Sequence, residues 1–174
     1  MAGRFFYNIF LLKLFFLSLL AILSIQNTEN CIINGDKLII ENNIAKFKVY
    51  EEEVFVSKPE FKIVQAFCSD FDKDGEKEVA LSLWKYGNFG NSRPFWVKEN
   101  DNSYKMHLFL YKYSANTLKP FWHSSNLERQ NLFMFPVENK IFVIEKPYSK
   151  LGLSFAKVEW KSWGFEIVER FELL

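Results

Sequence analysis

From Lys37 onward the apolar residues come in short runs cut by turn residues, and no stretch of ten residues shows a helical period. The runs fall at 38–40, 45–50, 54–56, 61–67, 79–84, 106–113, 118–122, 132–135, 141–145, 155–160 and 165–171. Many of them alternate. In 105–113, one face carries Met106, Leu108, Leu110 and Lys112, and the other carries His107, Phe109, Tyr111 and Tyr113. Both faces are largely apolar or aromatic, which is the pattern of a strand packed between neighbouring sheets. Aromatic residues make up 18% of the chain and alanine is scarce, which favours strands over helices. The spacing of 155–160 and 165–170 reads as a hairpin in which Gly164 supplies a positive φ. The expected fold class is all-β.

The pattern also repeats. Residues 63–84 and 132–148 each read as an apolar strand, a loop and a second apolar strand. A hairpin follows each, at 106–125 and at 154–169, and 44–57 resembles the same hairpin from an earlier, incomplete unit. A full unit would be a four-stranded antiparallel sheet, the size of a propeller blade. The expected organisation is a linker at 26–36 and a β-repeat domain at 37–174, with units near 37–60 (partial), 61–126 and 127–174. Three units fall short of the roughly four to eight that close a propeller. An open or partial arrangement of antiparallel blade-like repeats is therefore expected.

The first full unit carries an acidic loop, Asp70-Phe71-Asp72-Lys73-Asp74-Gly75-Glu76-Lys77-Glu78. Acidic residues stand at loop positions 1, 3, 5 and 9, and glycine at 6 permits a sharp bend. Alternate residues on a tight loop turn their carboxylates toward one centre, and calcium takes hard oxygens at about 2.3–2.6 Å. The expected ligands are Asp70, Asp72, Asp74, Glu78 and the backbone carbonyl of Glu76, with calcium as a structural cofactor. Leu81 stands where a helix-loop-helix calcium hand needs its glutamate, and the flanks read as strands. In the second unit the equivalent loop is Glu138-Asn139-Lys140, a plain turn.

This loop, with a strand before it and Val79-Ala80-Leu81-Ser82-Leu83-Trp84 after it, resembles the calcium loop of FG-GAP or VCBS-type repeats, which build the blades of integrin-like β-propellers. The hairpin ending in Pro120-Phe121-Trp122-His123-Ser124-Ser125 also resembles blades of bacterial proteins of this type. The resemblance spans residues 61–126 and extends loosely over the next unit. It implies calcium ligation by Asp70, Asp72, Asp74, the Glu76 carbonyl and Glu78. The chain departs from that pattern in its small number of repeats, its single intact loop and an insertion at 87–104.

At the other end of the chain, 5–25 is almost wholly apolar after Arg4, interrupted by Asn8, Lys13 and two serines. Its clean part, 14–25, has the length of a signal-peptide apolar region, while the whole stretch is long enough to span a bilayer as a hydrophobic helix. Residues 1–25 are thus expected to act as a signal peptide or signal anchor. The arginine orients the N-terminus inward, so the domain lies outside the cytoplasm, secreted, periplasmic or membrane-anchored. Thr28-Glu29-Asn30 is unlike the small apolar tripeptide that lipid attachment at Cys31 would need. Cys31 and Cys68 pair if the compartment is oxidising and otherwise remain two thiols.

The net charge of +1 provides no clustered basic face for nucleic acid. The insertion is long for a loop and offers Phe89, Arg93, Phe95 and Trp96, a mixture suited to stacking on and hydrogen bonding a sugar or peptide. The alternative is a loop that covers a sheet edge. His107 is expected to join that ligand-binding group. It is also the one residue a general base could be built on, but no nucleophile or second histidine is spaced to form a triad, so no catalytic residue is assigned. The leading expectation is a non-enzymatic domain for adhesion, binding or envelope assembly, with an unknown protein or a glycan as partner and the membrane contacted through the N-terminal segment. The alternatives are a secreted hydrolase-like enzyme acting on glycan or peptide, and an accessory subunit that completes a propeller with a partner.

Overall fold

A computed structural model describes residues 31–33, 35–88, 95, 97–99 and 101–173. The expected N-terminal leader, residues 26–30 of the expected linker, and Phe89, Arg93 and Trp96 lie outside the described residues. Among the described residues there is no helix; the chain forms twelve strands in three antiparallel four-stranded sheets, with no closed barrel.

The first sheet runs in the order β1 (Ile32–Ile33), β2 (Asp36–Glu41), β3 (Ile44–Val49) and β4 (Glu52–Val56). The second holds β5 (Lys62–Ser69), β6 (Glu78–Tyr86), β7 (Tyr104–Ser114) and β8 (Thr117–His123). The third holds β9 (Gln130–Val137), β10 (Lys140–Lys146), β11 (Ser154–Lys161) and β12 (Gly164–Glu172). Every sheet is a meander, so all its pairings are local in sequence.

The first unit, expected to be partial and to begin at Lys37, is a complete sheet. Its first strand has only two residues and lies inside the expected linker. Cys31, just before it, forms a disulfide with Cys68 on β5, with the Cα atoms 5.1 Å apart. Closing a loop of 37 residues in this way restrains the unfolded chain by about 4 kcal/mol in the chain-entropy model. The bond also fastens the first sheet to the second.

Turn chemistry explains how tightly the strands reverse. The β2–β3, β3–β4 and β7–β8 hairpins each turn on two residues with positive φ: Asn42-Asn43, Tyr50-Glu51 and Ala115-Asn116. Paired positive φ values match the right-handed twist of the flanking strands. Glu138-Asn139 joins β9 to β10 as the plain turn expected there. Gly164 departs from expectation. It opens β12 and is absent from the positive-φ glycines. Its small size has another use, because a Cβ there would stand 2.9 Å from Trp122 Nε1 on β8.

The second sheet lies between the other two, which is why β6 and β7 are apolar on both faces. Ile63, Leu81, Leu83, Phe109 and Tyr111 pack on Leu38, Ala45 and Phe47 of the first sheet. Phe67, Ala80, Leu108 and Leu110 pack on Met134, Ile141, Val143 and Ala156 of the third. The two faces read from 105–113 are therefore the two core faces. Polar ties cross the same gaps. Gln65 Oε1 accepts from Met134 N–H at 2.9 Å, and Asn43 Nδ2 donates to the Ile63 carbonyl at 3.0 Å. On its other face the third sheet carries Phe135 and Ile144 with a stacked row of Phe133, Phe142 and Phe155.

Candidate cation site in the acidic loop

The loop 70–77 joins β5 to β6, the same first hairpin that is reduced to Glu138-Asn139 in the third sheet. Its shape follows from side chains bonding their own backbone. Asp70 Oδ2 accepts from Gly75 N–H at 3.1 Å, Asp72 Oδ1 from Asp74 N–H at 3.3 Å, and Asp74 Oδ1 from Glu76 N–H at 2.9 Å. These are the bonds that aspartates make in tight turns. Gly75 takes φ +93, where a side chain would be strained, and Lys73 takes φ +65. Phe71 anchors the loop. It is buried, and its ring meets Phe67 at 6.1 Å and Phe165 of the third sheet at 5.4 Å.

Glu78, the first residue of β6, is wholly buried, and its Oε2 accepts from Phe71 N–H at 2.8 Å. One oxygen each from Asp70, Asp72 and Glu78 lies within 4.8 Å of the others. Two oxygens that share one calcium at its usual distances are at most about 5 Å apart, so these three can meet on a single ion. Asp70 Oδ1 is buried and accepts no hydrogen bond, and the buried Glu78 Oε1 has only the Lys112 ammonium, 3.4 Å away. Three convergent carboxylates, one with an orphaned oxygen, are a hard donor set that fits a divalent cation.

Of the five expected ligands, Asp70, Asp72 and Glu78 converge. Asp74 turns instead toward Lys112, and Glu76 is exposed, with its backbone N–H given to Asp74. The Lys112 ammonium is the feature that sequence reasoning missed. It stands 2.7 Å from Asp72 Oδ2, touches Asp74 Oδ2, lies 3.4 Å from Glu78 Oε1 and sits 4.6 Å from the Phe121 ring centre. Only the β6–β7 register, which pairs Glu78 with Lys112, reveals it. Asp72, Asp74 and Glu78 thus share the one Lys112 ammonium.

Burial raises the Glu78 carboxyl above its usual range, against the opposing Phe71 N–H bond. The hydrogen bond from Lys112 lowers Asp74. Burial pulls the Lys112 ammonium down, but its bonds to Asp72 and Asp74 outweigh that and raise it.

Of the residues expected to bind ligand, the two that are described, Phe95 and His107, differ in exposure. Phe95 is almost fully exposed. His107 is fully buried, with Nδ1 3.2 Å from the Ser124 carbonyl, and burial pushes its ring down to about 4. It does not present its ring to solvent. The base of the insertion is held by polar and aromatic contacts: Asn88 Oδ1 accepts from Asn126 N–H at 2.7 Å, and Trp84 stacks on Tyr104 at 5.2 Å.

No family model, curated protein or solved structure matches this chain.

Proposed function

We propose that the chain is a non-enzymatic, calcium-stabilised module of propeller-blade-like repeats that works outside the cytoplasm in binding or adhesion. One observation carries the reading. The buried Asp70 Oδ1, which accepts no hydrogen bond, belongs to a carboxylate that converges with those of Asp72 and the buried Glu78 in a loop that joins the first two strands of a sheet. A divalent ion there would hold β5 and β6 in register and satisfy the Asp70 oxygen. Asp70, Asp72 and Glu78 would hold it, with Asp74 and the Glu76 carbonyl completing the shell after Asp74 releases Lys112. The ion supplies charge and geometry, and no chemistry is routed through it.

Three further features support the rest of the reading. The meander order of every sheet is that of a blade. The Cys31–Cys68 disulfide suits an oxidising compartment. The buried, ring-neutral His107 favours packing over catalysis.

Thermal melting with calcium and with chelator tests the proposal. Calcium at about a hundred times its Kd would add about 2.7 kcal/mol to the wild type. Asp72→Ala would lose that dependence. Superimposable wild-type curves in calcium and chelator would refute the reading.

A further inference from the structure

The largest cleft among the described residues plays no part in the cation site. It runs beside β8, between β4 of the first sheet and β12 of the third, with a volume of about 950 Å³. Its size is that of small-ligand sites, which range over about 300–1,000 Å³. We propose that the end of this cleft at Lys58 and Lys85 binds the carboxylate or phosphate head of a small acid with an apolar body. The inference stands apart from the calcium reading.

The ammonium of Lys85 lacks a counter-charge. The residue is 8% exposed, and its Nζ donates to the Tyr86 carbonyl at 3.3 Å and to the Gly87 carbonyl. An ammonium has three N–H groups, so one remains. Among the described residues Lys85 forms no ion pair with a carboxylate. The insertion residues outside that set, 89–94, 96 and 100, include no aspartate or glutamate. A buried charge without an opposite charge is costly, and an anionic ligand supplies one.

The surroundings add positive charge and donors. Lys58 and His123 line the same end of the cleft. Burial pulls the Lys85 ammonium down, and the Lys58 charge acts in the same direction. Burial also lowers the His123 ring, and both lysine charges add to that effect. Lys58 meets Glu60 at 3.9 Å, but the two side chains are 70% and 61% exposed, so water weakens the pair. Ser57 Oγ accepts from Ala45 N–H at 3.0 Å, and Ser124 Oγ accepts from Leu108 N–H at 2.9 Å. Each hydroxyl keeps its hydrogen to donate to an oxyanion.

The other end of the cleft has the opposite character. The three glutamates that line the cleft, Glu128, Glu145 and Glu166, all lie on or beside the third sheet. Arg170 Nε donates to Glu145 Oε1 at 2.6 Å and its Nη1 to Glu128 Oε2 at 3.0 Å, while its Nη2 is buried without a partner. Those carboxylates repel an oxyanion there, so the head group belongs at Lys85. Beside Lys85 the walls are aromatic. Phe61 meets Phe109 edge-on at 5.5 Å, and the His123 ring stacks on Phe109 at 3.8 Å. An apolar body displaces water from these rings, which a bare ion cannot do.

Isothermal calorimetry tests the proposal with two aromatic acids, phenyl phosphate and phenylacetate. Sulfate and acetate serve as bare ions and benzyl alcohol as the neutral counterpart, each raised to millimolar concentration in calcium buffer. Near-ultraviolet circular dichroism verifies the fold of each variant, so a failure here leaves the cation reading untouched. At least one aromatic acid is expected to bind saturably, about tenfold or more tighter than the bare ions and the alcohol, and the tighter of the two acids identifies the head group. Lys85→Met should weaken that binding about tenfold or more, and Lys58→Gln, at an exposed side chain, should weaken it several-fold. The proposal is overturned if neither acid binds saturably, if a bare ion or benzyl alcohol binds as tightly as the acids, or if either folded variant leaves the affinity unchanged. Should Lys85→Met fail to fold, Lys58→Gln decides.

Discussion

The Lys112 ammonium stands 2.7 Å from Asp72 Oδ2, so the acidic loop carries a cation of the protein's own. That ammonium also faces the wholly buried Glu78 across the β6–β7 ladder. On the proposed reading, lysine and a divalent ion would compete for the oxygens of Asp72 and Glu78, which face the ammonium as Asp74 does.

Lys112→Met removes the internal cation and leaves Glu78 buried beside three aspartates. The variant without metal should lose about 2 kcal/mol of stability, the scale of a hydrogen bond to a charged group. Calcium should restore most of that loss, and calcium affinity should exceed that of the wild type. Urea unfolding with calcium and with chelator gives both quantities. A variant equally stable in both buffers would contradict the competition.

His107 makes acid stability a second test. Burial pushes its ring from 6.5 down to about 4, and the Lys85 charge acts in the same direction. The folded value lies below the unfolded one, so this contribution is complete above about pH 6.5. It is lost as pH falls toward 4, for a total of about 3 kcal/mol. His107→Gln keeps a donor for the Ser124 carbonyl but does not titrate. Its stability should fall less steeply between those two pH values, as read from urea midpoints. An identical slope in the variant would show that the acid sensitivity arises elsewhere.

Gly164 and Trp122 join the second and third sheets by close approach. A methyl group at Gly164 would meet the indole at 2.9 Å, and Gly164→Ala should cost about 1–3 kcal/mol through overpacking. In a Trp122→Phe background the obstructing atoms are gone, and the same change should cost less. Equal costs in the two backgrounds would show that the alanine acts on the strand itself.

The strands were legible because their alternation reflects real faces. Phe109 and Tyr111 look to one sheet, and Leu108 and Leu110 to the other. The acidic loop was legible because its geometry is set by residues adjacent in sequence. The completeness of the first sheet was hidden, since a two-residue strand at Ile32–Ile33 has no periodicity to read and owes its place to Cys31 and the β2 pairing. Lys112 was hidden for a different reason. Its partnership with Glu78 is a cross-strand relation that exists only once the register is known. The cleft beside β8 is assembled from all three sheets, and no local pattern encodes it.

Calorimetric titration of calcium into the metal-stripped protein should show one ion bound per chain, and that binding should be lost in Glu78→Gln. Heats no larger than dilution for the wild type, or binding that Glu78→Gln leaves intact, would contradict the proposed site.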